Sequence, residues 1–167
     1  SNYHGATLSY LPIRANGISS VLYDFISLLI GSRSSKNLIV LGVSAGIFFP
    51  LIRLMSNARI IVNIDGLEWR REKWSKSAKT FLKFSERLAV KHSDRVVVDN
   101  DVLKKYLLNE YKTSSKVIAY AGDHVQKAIK RVETKDLMDG VDFLSIARVE
   151  PENNVHEILE AFIYLSE

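Results

Sequence analysis

The chain has 167 residues, a formal net charge of +4, 47% hydrophobic and 25% charged residues, and no cysteine. These values exclude a disordered chain, and the lack of cysteine excludes disulfides, thiol nucleophiles and cysteine-ligated zinc while suiting a reducing compartment. The longest uncharged run, 37–52, is too short to cross a membrane, is interrupted by Gly42, Gly46 and Pro50, and ends at Arg53. No signal peptide opens the chain, which enters directly into what reads as mid-domain structure, so a fragment is expected.

In chain order, residues 6–11 read as a strand, 18–30 as a helix, 37–41 as a strand, 47–55 as a helix and 59–64 (RIIVNI) as a strand. A basic helix follows at about 75–92, then strand 95–98 (RVVV), helix 102–111 and strand 116–120 (KVIAY). Near-continuous apolar strands alternating with helices predict an α/β fold, a Rossmann-like doubly wound parallel sheet with helices on both faces. Ligands of such a sheet approach the carboxyl ends of its strands, here 42–46, 65–69, 99–101 and 120–123. Residues 123–140 are polar and aperiodic and read as a connection between domains. Residues 141–147 (VDFLSIA) and 155–165 read as the first βα unit of a second domain, too small to form its own core.

Gly42-Val-Ser-Ala-Gly46 is a full match to the G-x-S-x-G pattern, whose glycines permit a strained strand-to-helix turn that exposes a nucleophilic serine. Pro50 argues against that reading of Ser44. A helix starting right after Ser44 would place Pro50 in its interior, where it breaks the helix. A start near Gly46 or Ile47 places it in the first turn, where proline is tolerated. The expectation is a glycine-lined β-to-α turn with an inert Ser44.

Charge is concentrated. Residues 70–91 carry eight Lys/Arg against two Glu, a net of +6 where the whole chain is +4. At helical spacing Lys73, Lys76, Lys79, Lys83, Arg87 and Lys91 form one stripe, with Trp74, Ala78, Phe81, Leu82, Leu88 and Ala89 opposite. Two readings stand. One is a core-facing helix with a solvated basic back; the other is a functional basic face for anionic lipid or an anionic substrate. His4, His92, His124 and His156 have no metal-ligand spacing, so no metal is expected.

The turn Asn63-Ile-Asp-Gly-Leu-Glu-Trp-Arg-Arg-Glu-Lys-Trp74 is the most distinctive stretch of the chain. Together with 84–90 (FSERLAV), Asp99-Asn100, Ile118-Ala-Tyr-Ala-Gly122 and 147–154 (ARVEPENN), it resembles the rhamnosyltransferase-like branch of glycosyltransferase family 4 over nearly the whole chain. The resemblance implies a GT-B enzyme, in which two Rossmann-like domains face each other across a cleft, the first holding the acceptor and the second a nucleotide-sugar. It implies that 1–122 is an acceptor-side domain lacking its first strands and 141–167 the truncated start of the donor domain. It further implies transfer of a sugar such as rhamnose, with retention, in cell-surface polysaccharide synthesis. This chain alone would then be inactive, and no cofactor beyond the donor substrate is expected.

Residue by residue, the resemblance assigns donor diphosphate binding to Arg148, whose fork suits phosphate, with Asn153 and Asn154 beside it. Capping its own loop is the alternative role for Arg148. Asp65 stands where many relatives have a cleft histidine, which makes it the candidate catalytic residue; an Asp before Gly is equally a turn residue. The acceptor-binding candidates are Gly42, Ser44, Gly46, Gly66, Glu68, Trp69, Arg70, Tyr120 and Gly122. Glu68 would accept from sugar hydroxyls and Trp69 would stack on a pyranose face, whereas Trp74 reads as core.

Two other classes compete with this reading. A nucleic-acid binder would use the basic helix and bind in a steeply salt-dependent way, and a non-catalytic interaction module would keep the fold without chemistry. The expected location is the cytoplasm, at the inner face of a membrane if the basic helix touches lipid.

Overall fold

A computed structural model describes residues 2–13, 19–120, 147 and 153–166. The chain divides into two compact units, Ser1–Tyr120 and Ala121–Glu167, and each is described by itself. The first holds β1 (Asn2–Tyr3), β2 (Ala6–Thr7), α1 (Ser19–Ser34), β3 (Asn37–Leu41), α2 (Phe49–Met55), β4 (Arg59–Ile64), α3 (Lys76–His92), β5 (Arg95–Val98), α4 (Asp101–Tyr111) and β6 (Lys116–Val117).

Strands β3 to β6 form a parallel sheet of four, in the order β3-β4-β5-β6. Its register pairs Val40 with Val62, Val62 with Val96, and Val98 with Val117. The α/β class and the parallel Rossmann-like sheet are therefore as expected. Because each strand lies beside its predecessor, crossovers of one hand put α2, α3 and α4 on one face. Packing agrees: α2 touches α1 and α3, and α4 reaches α3 through Tyr106 and Tyr111. Leu38, Ile60, Val62, Ile64, Val96 and Val98 point to that face and are buried with Phe49, Ile52, Ala89, Leu103 and Leu107. On the other face Ile39 and Leu41 are 71% and 77% exposed. Of the two helix layers of a doubly wound sheet, the described residues supply one.

Several boundaries shift from the expected ones. The opening strand is not part of the parallel sheet. Ala6 pairs antiparallel with Tyr3 across a turn at His4 and Gly5, both at positive φ (47° and 85°). That is the backbone of a two-residue hairpin, so local pairing replaces a long-range partner. The helix expected from residue 47 begins as a 3-10 turn, Ser44–Phe48, and becomes α-helical at Phe49 with Pro50 in its first turn. Strand β6 stops at Val117. Trp74 lies before α3 rather than on it, since Ser75 caps the helix by accepting from the Ala78 N–H.

In the second unit α5 spans Val155–Ser166 and begins after Asn154, which sits at φ 48°. Ile158, Leu159, Phe162 and Ile163 form an exposed apolar stripe along it. All but the last residue of the strand expected at 141–147, the connection at 123–140 and the positions of Gly122 and Arg148 lie outside the described residues.

Candidate functional site

The carboxyl ends of β3, β4, β5 and β6 lie along one edge of the sheet, as parallel pairing requires, and four short segments emerge there. Gly42 leaves β3 at φ 87°, with open space where a side chain would stand, and its N–H donates to Asn63 O at 2.9 Å. Asp65 and Gly66 leave β4; Asp65 is exposed, and nothing approaches within 4 Å of the position a Cβ would take on Gly66. Asp99 and Asn100 leave β5. Asn100 caps α4 by accepting from Leu103 N–H at 2.9 Å and donates to Asp99 Oδ1 at 2.7 Å. Tyr120, beyond β6, is 79% exposed.

The glycine turn after β3 is fastened to α3 through a buried hydroxyl. Ser85 Oγ donates to Val43 O at 2.6 Å, with Ser44 O at 3.0 Å, and accepts from the Ile47 N–H at 2.9 Å. Gly46 permits this approach, because a Cβ there would fall 2.2 Å from Ser85 O and 2.6 Å from Ala89 Cβ. Of the three turn residues predicted to line an acceptor cleft, Gly46 is thus committed to helix packing, while Gly42 stands at the open edge. Ser44 donates its hydroxyl to Asp24 Oδ2 of α1 at 2.6 Å.

In the loop after β4, Glu68 is held within its own segment. Trp74 Nε1 donates to it at 2.9 Å, Arg71 pairs with it at 3.1 Å and Lys73 at 3.6 Å. Burial pushes its carboxyl up, but the bonds from Trp74 and Arg71 and the charges of Arg71 and Lys73 outweigh that and hold it below the ordinary glutamate value. Arg70 is exposed and lies 5.1 Å from the centre of the Trp69 ring, and Lys83 lies 4.7 Å from the same ring. The two predicted sugar contacts in this loop, Glu68 and Trp69, are therefore already engaged by neighbouring cations.

The group that organises these elements is Glu86, which is fully buried on α3. Its Oε1 accepts from Tyr106 and Tyr111 hydroxyls of α4, each at 2.6 Å, and Lys83 Nζ lies at 3.5 Å; Oε2 accepts from Trp69 Nε1 at 3.2 Å. Lys83 also donates to Tyr106 and pairs with Glu110 of α4 at 3.0 Å. Burial would depress the Lys83 ammonium, yet the bonds to Tyr106 and Glu110 and the Glu86 charge hold it above the ordinary lysine value. Burial, together with donation to Glu86, pushes the Tyr111 phenol well up, and Tyr106 moves in the same direction. This makes the cluster a fixed set of donors around one carboxylate, the arrangement that lets a charge be buried.

Sequence reasoning missed Ser85 and Glu86. The signal existed: Glu86 lies four residues after Leu82 and three before Ala89, both buried, and so sits on the inward stripe. Lys83, placed by its spacing on the basic stripe, is turned toward α4. Asn153 and Asn154 lie at the start of α5, where Asn154 O accepts from Ile158 N–H at 3.1 Å. Among the described residues no helix is long and apolar enough to cross a membrane.

A family profile described as Domain of unknown function (DUF1972) matches residues 23–123, which include the whole parallel sheet and its carboxyl edge. No curated protein matches the chain.

Proposed function

The chain belongs to the DUF1972 family, and on that premise we propose that it forms the acceptor-side part of a GT-B glycosyltransferase. The enzyme would transfer a sugar, rhamnose being the favoured case, from a nucleoside-diphosphate sugar to a glycan or lipid-linked glycan. One observation carries the reading. The carboxyl edge of a parallel sheet presents an exposed carboxylate, Asp65, between two backbone stretches without side chains, Gly42 and Gly66. Ligands of open α/β sheets bind at that edge, and a polyol needs acceptors for its hydroxyls with room for a ring. A second support is that the family is a domain associated with the N-terminal regions of glycosyltransferases.

On this reading the acceptor hydroxyl is oriented at the Gly42 and Asp65 edge. Its oxygen bonds to the anomeric carbon, its proton passes to a base for which Asp65 is the candidate, and the electron pair of the breaking C–O bond leaves on the diphosphate. Arg148 neutralises that leaving group through its guanidinium fork. Positioning and charge stabilisation make up most of such catalysis.

The test uses the complete protein, donor half included, with a panel of nucleotide-sugars and release of nucleoside diphosphate as the readout. Turnover of one donor is expected. Arg148→Ala should lower kcat/KM by about 10²-fold, the scale of losing one preorganised donor to developing charge, and Arg148→Lys should recover part of it. A folded complete protein that consumes no nucleotide-sugar would remove the enzymatic reading. Unchanged kcat/KM in Arg148→Ala would return that residue to a loop-capping role.

A further inference from the structure

We propose that the groove between α3 and α4 is a docking surface for an anionic lipid bilayer, in which the cations of α3 take lipid phosphates and Phe84 enters the interface. The groove encloses about 990 Å³ and is lined by α3, the end of α4 and Trp69 of the loop after β4. Its cations are Lys79, Lys83, Arg87 and Lys91, against a single carboxylate, Glu110. Lys83 is consumed by Glu86 and Glu110. Lys79, Arg87 and Lys91 have no carboxylate partner among the described residues. They recur at multiples of four along a continuous helix, so they run as a stripe of roughly 18 Å, at about 1.5 Å per residue.

Phe84 decides the class of occupant. It lines the same groove, is 51% exposed, and lies on α3 beside the cationic stripe. An exposed apolar ring in a groove that also presents Lys79, Arg87 and Lys91 matches a phospholipid surface, which offers phosphates outside and hydrocarbon beneath. Single-stranded nucleic acid would need aromatic faces for base stacking. The largest ring in the groove, Trp69, has cations beside it, Lys83 at 4.7 Å and Arg70 at 5.1 Å. This inference does not depend on transfer chemistry.

The experiment is co-sedimentation of the chain with vesicles of phosphatidylcholine alone or with added phosphatidylglycerol. Binding to the anionic vesicles only is expected, weakening as salt rises. The K79Q/R87Q/K91Q variant should bind about 100-fold more weakly, at roughly fivefold per lost cation. K104Q/K105Q/K116Q, which removes the same charge from exposed positions outside the groove, should bind nearly as the wild type. Thermal melts establish that both variants fold. In a Phe84→Trp variant the added fluorescence should shift to the blue on anionic vesicles. Equal binding to both vesicle types, equal loss in the control variant, or no blue shift would overturn the proposal. So would salt-sensitive retardation of RNA or DNA that K79Q/R87Q/K91Q abolishes while vesicle binding is absent.

Discussion

The hydroxyl of Tyr111, the last residue of α4, lies 2.6 Å from Oε1 of Glu86, a carboxylate with no exposure to solvent on α3. Removing the hydroxyl leaves that oxygen short of a donor it cannot replace with water. Tyr111→Phe should therefore cost about 1–3 kcal/mol, the range for an unsatisfied buried group. Glu86→Ala should cost more, about 3–5 kcal/mol, because it leaves three donors, from Trp69, Tyr106 and Tyr111, without their acceptor, while Lys83 keeps Glu110. Urea unfolding of the two variants checks the order; a Glu86→Ala protein as stable as the wild type would show that the cluster contributes nothing.

Three glycines should respond differently to alanine. Gly46→Ala drives a Cβ into the Ser85 carbonyl, a backbone atom, and should cost about 1–3 kcal/mol or more. Gly42→Ala meets no neighbour but inherits φ 87°, for which roughly 1–2 kcal/mol is expected. Gly66→Ala has neither obstacle and should stay within about 0.5 kcal/mol of the wild type. Denaturation midpoints in the order Gly46, Gly42, Gly66 from least to most stable are the expected result.

Asp94 gives the fold a defined acid sensitivity. Burial pushes its carboxyl up, but the 2.5 Å bond from Arg53, the Ile60 N–H at 2.7 Å and the charges of Arg53 and Arg59 prevail and hold it below its ordinary value of 3.8. Its folded-state value is depressed, so its contribution is present in full above 3.8 and is lost as pH falls through the folded value. The side chain is 38% exposed, so screening keeps the effect modest. In Asp94→Asn the stability curve should be flatter below the ordinary aspartate value than in the wild type. Melting temperatures followed from neutral pH into the acid range test this, and parallel curves would contradict it.

Ser44 should be unreactive. Its hydroxyl is spent on Asp24, and among the described residues no imidazole bonds to it, so the relay that activates a serine is missing. A fluorophosphonate probe should leave the protein unlabelled; labelling that Ser44→Ala abolishes would reverse the assignment.

Where the sequence was legible, one physical signal dominated. Strands β3, β4 and β5 fall on their expected bounds because each is a short apolar, β-branched run that must be buried on at least one side. Pro50 restricted the start of α2 to within a turn of its true position, since proline is tolerated only there. Residues 6–11 misled because their alternation suits any strand, whereas the pairing was decided by two residues able to turn at positive φ. Glu86 misled for another reason. It entered the sequence reading only as one of two glutamates in a charge count, and its burial depends on two tyrosines twenty and twenty-five residues away that no local period reveals. The carboxyl edge was legible as a location. Which of its residues stand free and which are bound to neighbours required the geometry of the loop after β4 and of the Ser85 fastening.

The Glu86 cluster also sets a limit on how this domain can move. Packed helices in other folds slide past one another by small steps or by a full turn when a protein changes state. A slide of one turn, about 5.4 Å, would carry the tyrosines of α4 beyond reach of the carboxylate and leave a naked charge in the core. The α3 and α4 pair is therefore latched in a single register, and strain applied at either helix is passed to the other without being absorbed between them.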